Sequence, residues 1–518
     1  MTTSAVPPHR KWGTFAIGCL LMVVPGIDLT ALNLAVPHIT ADLAPSATQI
    51  LWIADIYGFT LAGLLITMGA VGDRVGHRTL LLTGVAVFAA ASALTAYAWS
   101  PELLIAARAL LGAAGATLMP SALALIRRVF ADPKERTMAV GAFFGSAALA
   151  VGLGPVIGGG LMERFWWGSV FLINVPIMAT ILAAGVALLP RSPGHGQGGV
   201  DALSVPLSAA AVLGPVYAIK EAAAHGVAVA QVPTGLAIGA VGLALFLWRQ
   251  TRLAHPLIDL RLLRRPAFAG AVSINLFAMF ALVAQSLIFS LYFQLVLGWS
   301  PLRAGLAGLP GAVGAALGGA ALAAPLISAV GRARTVAIGL VIAATSYAAF
   351  FWFGTDPSYP LMVVPIVLGG LGMGMAMTVT GDTVLASVPR HRAGAASAIS
   401  ETASELGGAL GMALLGSVVT AVYRRSLDLP PGLPAGARHA ARDSLGAAVE
   451  AAASLPSALA ARVVDASRLA YVDGMHAAML CSAAMAVCVA AASLVTLRRV
   501  PKVIPDEAKE ETSVPAAA

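Results

Sequence analysis

The chain has 518 residues, 58% of them hydrophobic and only 11% charged, with a formal net charge of +8. A soluble domain carries about 25% charged residues, and a mean hydropathy of +0.86 is more apolar surface than a water-soluble fold can hide. The composition therefore excludes a soluble enzyme, gives no reason to expect a nucleic-acid partner, and predicts an all-α integral membrane protein. Cys19, Cys481 and Cys488 all fall in apolar segments and read as small packing residues with no disulfide framework.

A helix needs about 20 apolar residues to cross a bilayer. Segments of that kind lie at 12–36, 50–71, 79–99, 103–126, 137–160, 169–189, 203–221, 232–249, 268–297, 303–329, 335–354, 360–387, 395–423 and 474–497, fourteen in all. The first is longer than a signal-peptide core of about 7–15 residues and lacks a clear cleavage site, so it is expected to be retained. Basic residues concentrate in alternate loops: Arg74 and Arg78, Arg127 and Arg128, Arg264 and Arg265, Arg332 and Arg334, and Arg498 and Arg499 all fall on the side of the N-terminus. The positive-inside rule then puts both termini in the cytoplasm.

The turns GDRVGHRT (72–79) and SAVGRART (328–335) resemble each other. They suggest two six-helix bundles, residues 1–190 and 266–497, with two inserted helices and a cytoplasmic linker at 191–265; transporters are often built from such repeats. Short inside loops are commonly rich in Gly and Arg, so the pair of turns by itself leaves coincidence open. The extracytoplasmic loop 424–473 reads either as a helical cap or as a solvated tether. The tail 498–518 has the composition of a disordered segment.

Six ionisable side chains interrupt the apolar segments: Asp28, Asp55, Arg108, Asp382, Glu401 and Glu405. A charge at mid-bilayer costs about 2.5–3.5 kcal/mol on insertion scales, and such residues are usually functional. At a rise of 1.5 Å per residue, Asp28, Asp55 and Arg108 fall within about 5 Å of one another in depth. They are expected to form an acid–base cluster in the outer half of the membrane. Glu401 and Glu405 are one turn apart and share a helix face; two carboxylates that close and partly dehydrated do not both ionise easily. Asp55 could instead sit wet in the interface, Arg108 could satisfy helix-end carbonyls, and Glu405 could be a structural hydrogen-bonder. Trp52, Tyr57, Phe59, Phe289 and Tyr292 could hold a cation against their rings, although most aromatics in such a chain pack against protein or lipid.

GAVGDRVGHR resembles the loop joining the second and third helices of the major facilitator superfamily. Gly69, Gly72, Asp73, Arg74, Gly76 and Arg78 fit its pattern as a conformational latch, with Asp73 pairing with Arg78 or with a neighbouring helix end. LIAARALLGAAGA resembles the family's fourth helix. GSAALAVGLGPVIGG resembles its antiporter motif, matched by Gly145, Gly154, Pro155, Gly158 and Gly159. WGSVFLINVP resembles a pattern of the fourteen-helix drug:proton antiporters, with Gly168 and Ser169 where Arg and Trp are usual. The nearest pattern is that of pumps expelling quaternary ammonium compounds, dyes and methyl viologen. That resemblance implies two six-helix bundles plus two inserted helices in a bacterial cytoplasmic (inner) membrane. It also implies a monomer whose partners are lipid, protons and small cationic substrates. Membrane acids of the first, second and thirteenth helices are implicated in proton coupling and cation binding in such pumps, and the matching positions are Asp28, Asp55, Glu401 and Glu405. The tenth helix can carry another acid in those pumps; segment 303–329 has none, and Asp382 is the candidate substitute.

The expected function is proton-coupled multidrug efflux by alternating access, driven by the proton motive force without a cofactor or metal. The alternative is a dedicated exporter of one metabolite, amino acid or antibiotic. No nucleotide-binding G-x-x-x-x-G-K-[ST] loop and no HExxH or Cys/His cluster is present in the sequence, so a secondary transporter is expected rather than an enzyme. A third possibility is a non-transporting sensor on a transporter fold.

Overall fold

The computed structural model describes residues 7–191, 194, 201–225, 229–253, 256–258, 260–389 and 392–502. Helices α1 (Pro8–Leu43), α2 (Ala47–Val75), α3 (His77–Ala96), α4 (Pro101–Val129), α5 (Pro133–Met162), α6 (Ser169–Leu172) and α7 (Asn174–Leu188) form a first bundle. The pair α8 (Ser204–His225) and α9 (Gln231–Arg252) follows. The second bundle holds α10 (Pro266–Leu291), α11 (Pro301–Ala316), α12 (Ala323–Val330), α13 (Arg332–Ala349), α14 (Tyr359–Ala386), α15 (Ala393–Ser426) and α18 (Ser457–Thr496). The short α16 (Ala435–Asp443) and α17 (Leu445–Ala452) sit between its last two long helices.

Twelve helices among the described residues are long and apolar enough to cross a membrane. The 30-residue α5 and α8, whose apolar stretch Ser204–Ile219 is shorter, coincide with the two remaining apolar segments of the sequence. Helix starts follow local chemistry. Ser46 and Gln49 form a reciprocal capping box on α2, Ser100 accepts from Leu103 N with Pro101 at the first helical position of α4, and Asp132 caps α5. Gly76 and Gly331 begin α3 and α13 with φ of 97° and 90°, a region closed to most side chains. The two similar turns thus share a backbone conformation as well as residues.

Three segments depart from the simple apolar spans. Residues 303–329 form α11 and α12 joined by a π-helical stretch, Leu317–Leu322, and α10 ends in another, Tyr292–Val296. Helix α18 begins at Ser457, well before its apolar part, because the preceding residues are rich in good helix formers. The loop before it is packed: Leu433, Ala441, Ala448 and Val463 share a small core. Tyr423 Oη donates to Ala441 O at 2.6 Å, and Arg468 Nε donates to Leu295 O at 3.1 Å. This is the cap arrangement, seated on the second bundle. Residues 503–518 of the tail lie outside the described residues.

Small residues bring helices into backbone contact, as packing in lipid requires. A Cβ on Gly314 would lie 2.2 Å from Val367 O, on Gly318 2.1 Å from Leu371 O, on Gly370 1.9 Å from Gly311 O and on Gly374 2.1 Å from Ala315 O. The inserted pair packs the same way, with Gly214 against Gly235 and Gly239. It is clamped at its ends by Arg249, whose Nε and Nη2 each lie 2.6 Å from an oxygen of Asp201. Those hydrogen bonds, with others from Ser204, hold the Asp201 carboxyl well below the usual carboxylate range.

Overpacking a tight seam costs about 1–3 kcal/mol. Gly370→Val is therefore expected to lower the thermal unfolding midpoint of the detergent-purified protein by several degrees, measured by a tryptophan-fluorescence melt. An exposed-site change such as Gly436→Ala is expected to leave it unchanged.

Candidate functional site

Asp28, on α1, is fully buried, and Arg108, on α4, is 1% exposed. Arg108 Nη1 lies 3.5 Å from Asp28 Oδ2. The guanidinium also lies over the rings of Tyr57 and Phe171, each at 5.7 Å. Asn174, at the start of α7, lies close to the same carboxylate and donates to Ser92 Oγ at 3.4 Å. The ion pair is loose. Both Asp28 oxygens, Tyr57 Oη, and Arg108 Nε and Nη1 are buried without a hydrogen-bond partner of proper geometry, and buried polar groups in that condition are uncommon.

Glycines on α4 let Tyr57 reach this pair. A Cβ on Gly112 would lie 2.3 Å from Tyr57 O, and one on Gly115 would lie 3.3 Å from Tyr57 Oη. On the other side, Tyr57 is within electrostatic reach of Glu405 on α15. Glu405 and Glu401 are close enough to influence each other's charge, and both are half-buried. Helix α2, which carries Tyr57, packs against both α4 and α15, the helices of Arg108 and of the two glutamates. Asp55 lies two residues before Tyr57 on α2 and is half-buried.

Asp382 is elsewhere. It is fully buried on α14 between two arginines: Arg136 Nε donates to Oδ1 at 2.7 Å and Arg332 Nη2 donates to Oδ2 at 2.7 Å. Arg332 Nη1 also donates to Thr383 Oγ1 at 2.9 Å. Arg136 belongs to the first bundle and Arg332 to the second, so Asp382 ties the bundles together near the chain's termini.

A second tie lies alongside. Asp73, at the end of α2, accepts from Gly394 N at 3.0 Å and Ala395 N at 2.9 Å, the first turn of α15. A carboxylate there satisfies free N–H groups and meets the positive end of the helix dipole. His77 Nε2 lies 2.8 Å from the same carboxylate. Gly69 makes room for this contact, since a Cβ there would lie 2.6 Å from both Ala398 Cβ and Gly394 O; one on Gly72 would lie 2.6 Å from His77 Nδ1. Arg127 donates to Val388 O, a third tie. Arg74 is in the last turn of α2. Arg78 turns away from the second bundle and donates to Val186 O on α7 at 2.8 Å. Of the two partners open to Asp73 in the sequence, the structure uses the helix end.

The antiporter-motif helix α5 packs against α11, the stretch Leu317–Leu322 and α14 of the second bundle. A Cβ on Gly141 would lie 2.4 Å from Gly319 O, and one on Gly145 would lie 3.1 Å from Ala316 Cβ. Gly154 and Gly158 are buried. Gly159, farther along, would meet nothing within 4 Å. The Pro155 side chain lies outside the described residues. The contacts between bundles named here thus gather on the side of the termini.

Among the five aromatics singled out in the sequence, Tyr57 alone is brought to the acids by the contacts above. Trp52 is 43% exposed and packs edge-on against Phe59 at 6.2 Å. Phe289 packs against Phe350 with ring centroids 4.3 Å apart and the planes tilted by 41°. Tyr292 is fully buried and donates to Gly354 O at 2.6 Å, within the core of the second bundle. Arg127, Arg136, Arg332, His77 and Asn174 were not marked by sequence reasoning. The first three lie in or beside short basic turns, where the positive-inside rule accounts for them; His77 is in the latch motif, and Asn174 in the intact FLINVP motif.

Removing one member of a buried ion pair costs about 3–5 kcal/mol because the other is left uncompensated. Arg108→Ala is expected to lower the unfolding midpoint sharply, and Asp28→Asn combined with Arg108→Gln to recover most of the loss in the same fluorescence melt. Asp73→Asn is expected to loosen the terminal side. With the native cysteines replaced by alanine, a Ser397→Cys probe should react with maleimide several-fold faster in that background.

Comparison with known proteins gives the family of the chain. Residues 18–412 match the family model described as Major Facilitator Superfamily. The chain is 41% identical over 495 residues to the multidrug efflux pump LfrA of Mycolicibacterium smegmatis, covering 95% of this chain and 97% of that one. It is 34% identical to the methyl viologen resistance protein SmvA of Salmonella typhimurium, covering 92% and 95%. It is 32% identical to the tetracenomycin C resistance and export protein of Streptomyces glaucescens, covering 98% and 95%. In fold it resembles the human organic anion transporter MFSD10, with a TM-score of 0.62 at 14% identity, covering 94% of this chain and all of that one. With a family match across most of its length and relatives aligned nearly end to end, this chain belongs to the major facilitator superfamily.

Proposed function

We propose that the protein is a proton-coupled drug efflux antiporter for lipophilic cations. The observation that carries this reading is the buried Asp28–Arg108 pair, loosely matched at 3.5 Å, with the guanidinium over the ring of Tyr57 at 5.7 Å. A carboxylate in that setting can hold a proton or a cation but gains little from holding neither. Cargo arriving from the cytoplasm or inner leaflet displaces protons, the bundles rock, and outside protons displace the cargo. Each charge moving down the membrane potential yields about 2.3 kcal/mol per 100 mV, enough to drive export without a nucleotide. The full-length similarity to proteins named for multidrug efflux and methyl viologen resistance supports the direction and the cargo class.

The rest of the reading follows from the same family. All fourteen apolar segments cross a bacterial cytoplasmic membrane, both termini lie in the cytoplasm, and the chain works as a monomer. With that orientation, the ties at Asp73, Arg127 and Asp382 close the cytoplasmic side, and the present state faces outward.

A narrower exporter is the second reading, favoured by the similarity to a protein named for resistance to and export of one antibiotic, tetracenomycin C. A cation panel separates the two. Inverted membrane vesicles carrying the wild type are expected to accumulate ethidium, benzalkonium and methyl viologen when an inward-acid pH gradient is imposed. Transport of none of these would reject the multidrug reading. Asp28→Asn is expected to reduce dication accumulation at least tenfold with protein abundance held; undiminished accumulation would remove Asp28 from the mechanism.

A further inference from the structure

The start of α1, the start of α3 and the end of α7 surround a cleft of about 490 Å³ lined by Arg10, Arg78, Arg191, Val186, Leu189 and Pro190, among others. Three arginines from three separate elements converge there, and no carboxylate lines it. The nearby Glu135 is already paired with Lys11. Among the described residues, the guanidinium groups of Arg10 and Arg191 have no ion-pair or hydrogen-bond partner. Arg78 is fixed by its bond to Val186 O at 2.8 Å, which leaves its Nε buried without a partner. The resemblance places Arg78 in the latch, yet its side chain points away from the second bundle and into this cleft.

Arg10 and Arg191 are exposed, so water screens their repulsion, but three arginines at one cleft without a carboxylate favour an anion, and guanidinium forks match phosphate oxygens in geometry. The cleft lies at the ends of the apolar helices α1, α3 and α7, and Val186, 58% exposed, continues it along the outer apolar face of α7. A free phosphate has no use for an apolar wall; a phosphodiester carrying acyl chains does. Basic pockets between membrane helices bind anionic headgroups in this way.

We propose that Arg10, Arg78 and Arg191 form a binding site for the phosphate of an anionic lipid, with its acyl chains lying along the wall at Val186 and Leu189. The site is separate from the acid cluster, and its test has no transport readout, so it stands or falls independently of the pump reading.

The test is native mass spectrometry of the full-length protein in neutral detergent, titrated with phosphatidylglycerol or phosphatidylcholine. The wild type is expected to retain phosphatidylglycerol at least tenfold better. Arg10→Gln with Arg191→Gln should lose that preference, and Arg10→Lys with Arg191→Lys should keep most of it. Equal retention of both lipids by the wild type would overturn the proposal, as would an unchanged preference in the glutamine variant. Full displacement of phosphatidylglycerol by millimolar inorganic phosphate would assign the cleft to free phosphate and overturn the lipid source. If the glutamine variant fails to fold, the wild-type lipid comparison and the phosphate competition still decide the matter.

Discussion

A carboxylate removed from water must find compensation within a few ångströms, and the architecture of the first bundle is arranged around that need. Arg108 supplies it for Asp28 at 3.5 Å. Buried pairs of this kind rarely repay their own desolvation, so stability alone does not explain why one is kept. The surroundings point the same way. Glycines at 112 and 115 replace side chains that would block Tyr57, and several polar atoms at the centre lack partners.

The bundles are joined by a different chemistry. Where Asp28 is loosely held, Asp382 is gripped at 2.7 Å by an arginine from each bundle, and Asp73 is held by two backbone N–H groups and a histidine. Asp73 and Asp382 are saturated with donors and tie the bundles, whereas Asp28 has one charged partner at a longer distance.

Much of this was legible in the sequence. Apolar length marked the helices, and isolated charges marked Asp28 and Arg108 because the surrounding residues left them no other partner. The two similar turns became more persuasive once Gly76 and Gly331 proved to share a positive φ. The partners of Asp382 were not legible, since Arg136 is 246 positions away and reads as an ordinary loop charge. Nor was the packing of α2, which carries Tyr57, against α15, which depends on how two distant helices cross. The π-helical stretches and the early start of α18 were hidden because hydropathy measures the length of a segment and says nothing about its hydrogen-bond register.

The inserted pair does more than lengthen the chain. Helix α8 lies against α2 of one bundle and α15 of the other. A Cβ on Gly63 would press on Leu213, and Thr67 Oγ1 is 3.5 Å from Ser208 Oγ. Ile66 and Ile399 flank the same apolar cluster below. One of the two seams between the bundles is thereby shuttered from the surrounding hydrocarbon, while the seam along α5 and α11 has no such cover from the inserted pair. The two seams of the transporter therefore differ in what covers them: α8 screens the one between α2 and α15, and the one between α5 and α11 lacks that screen.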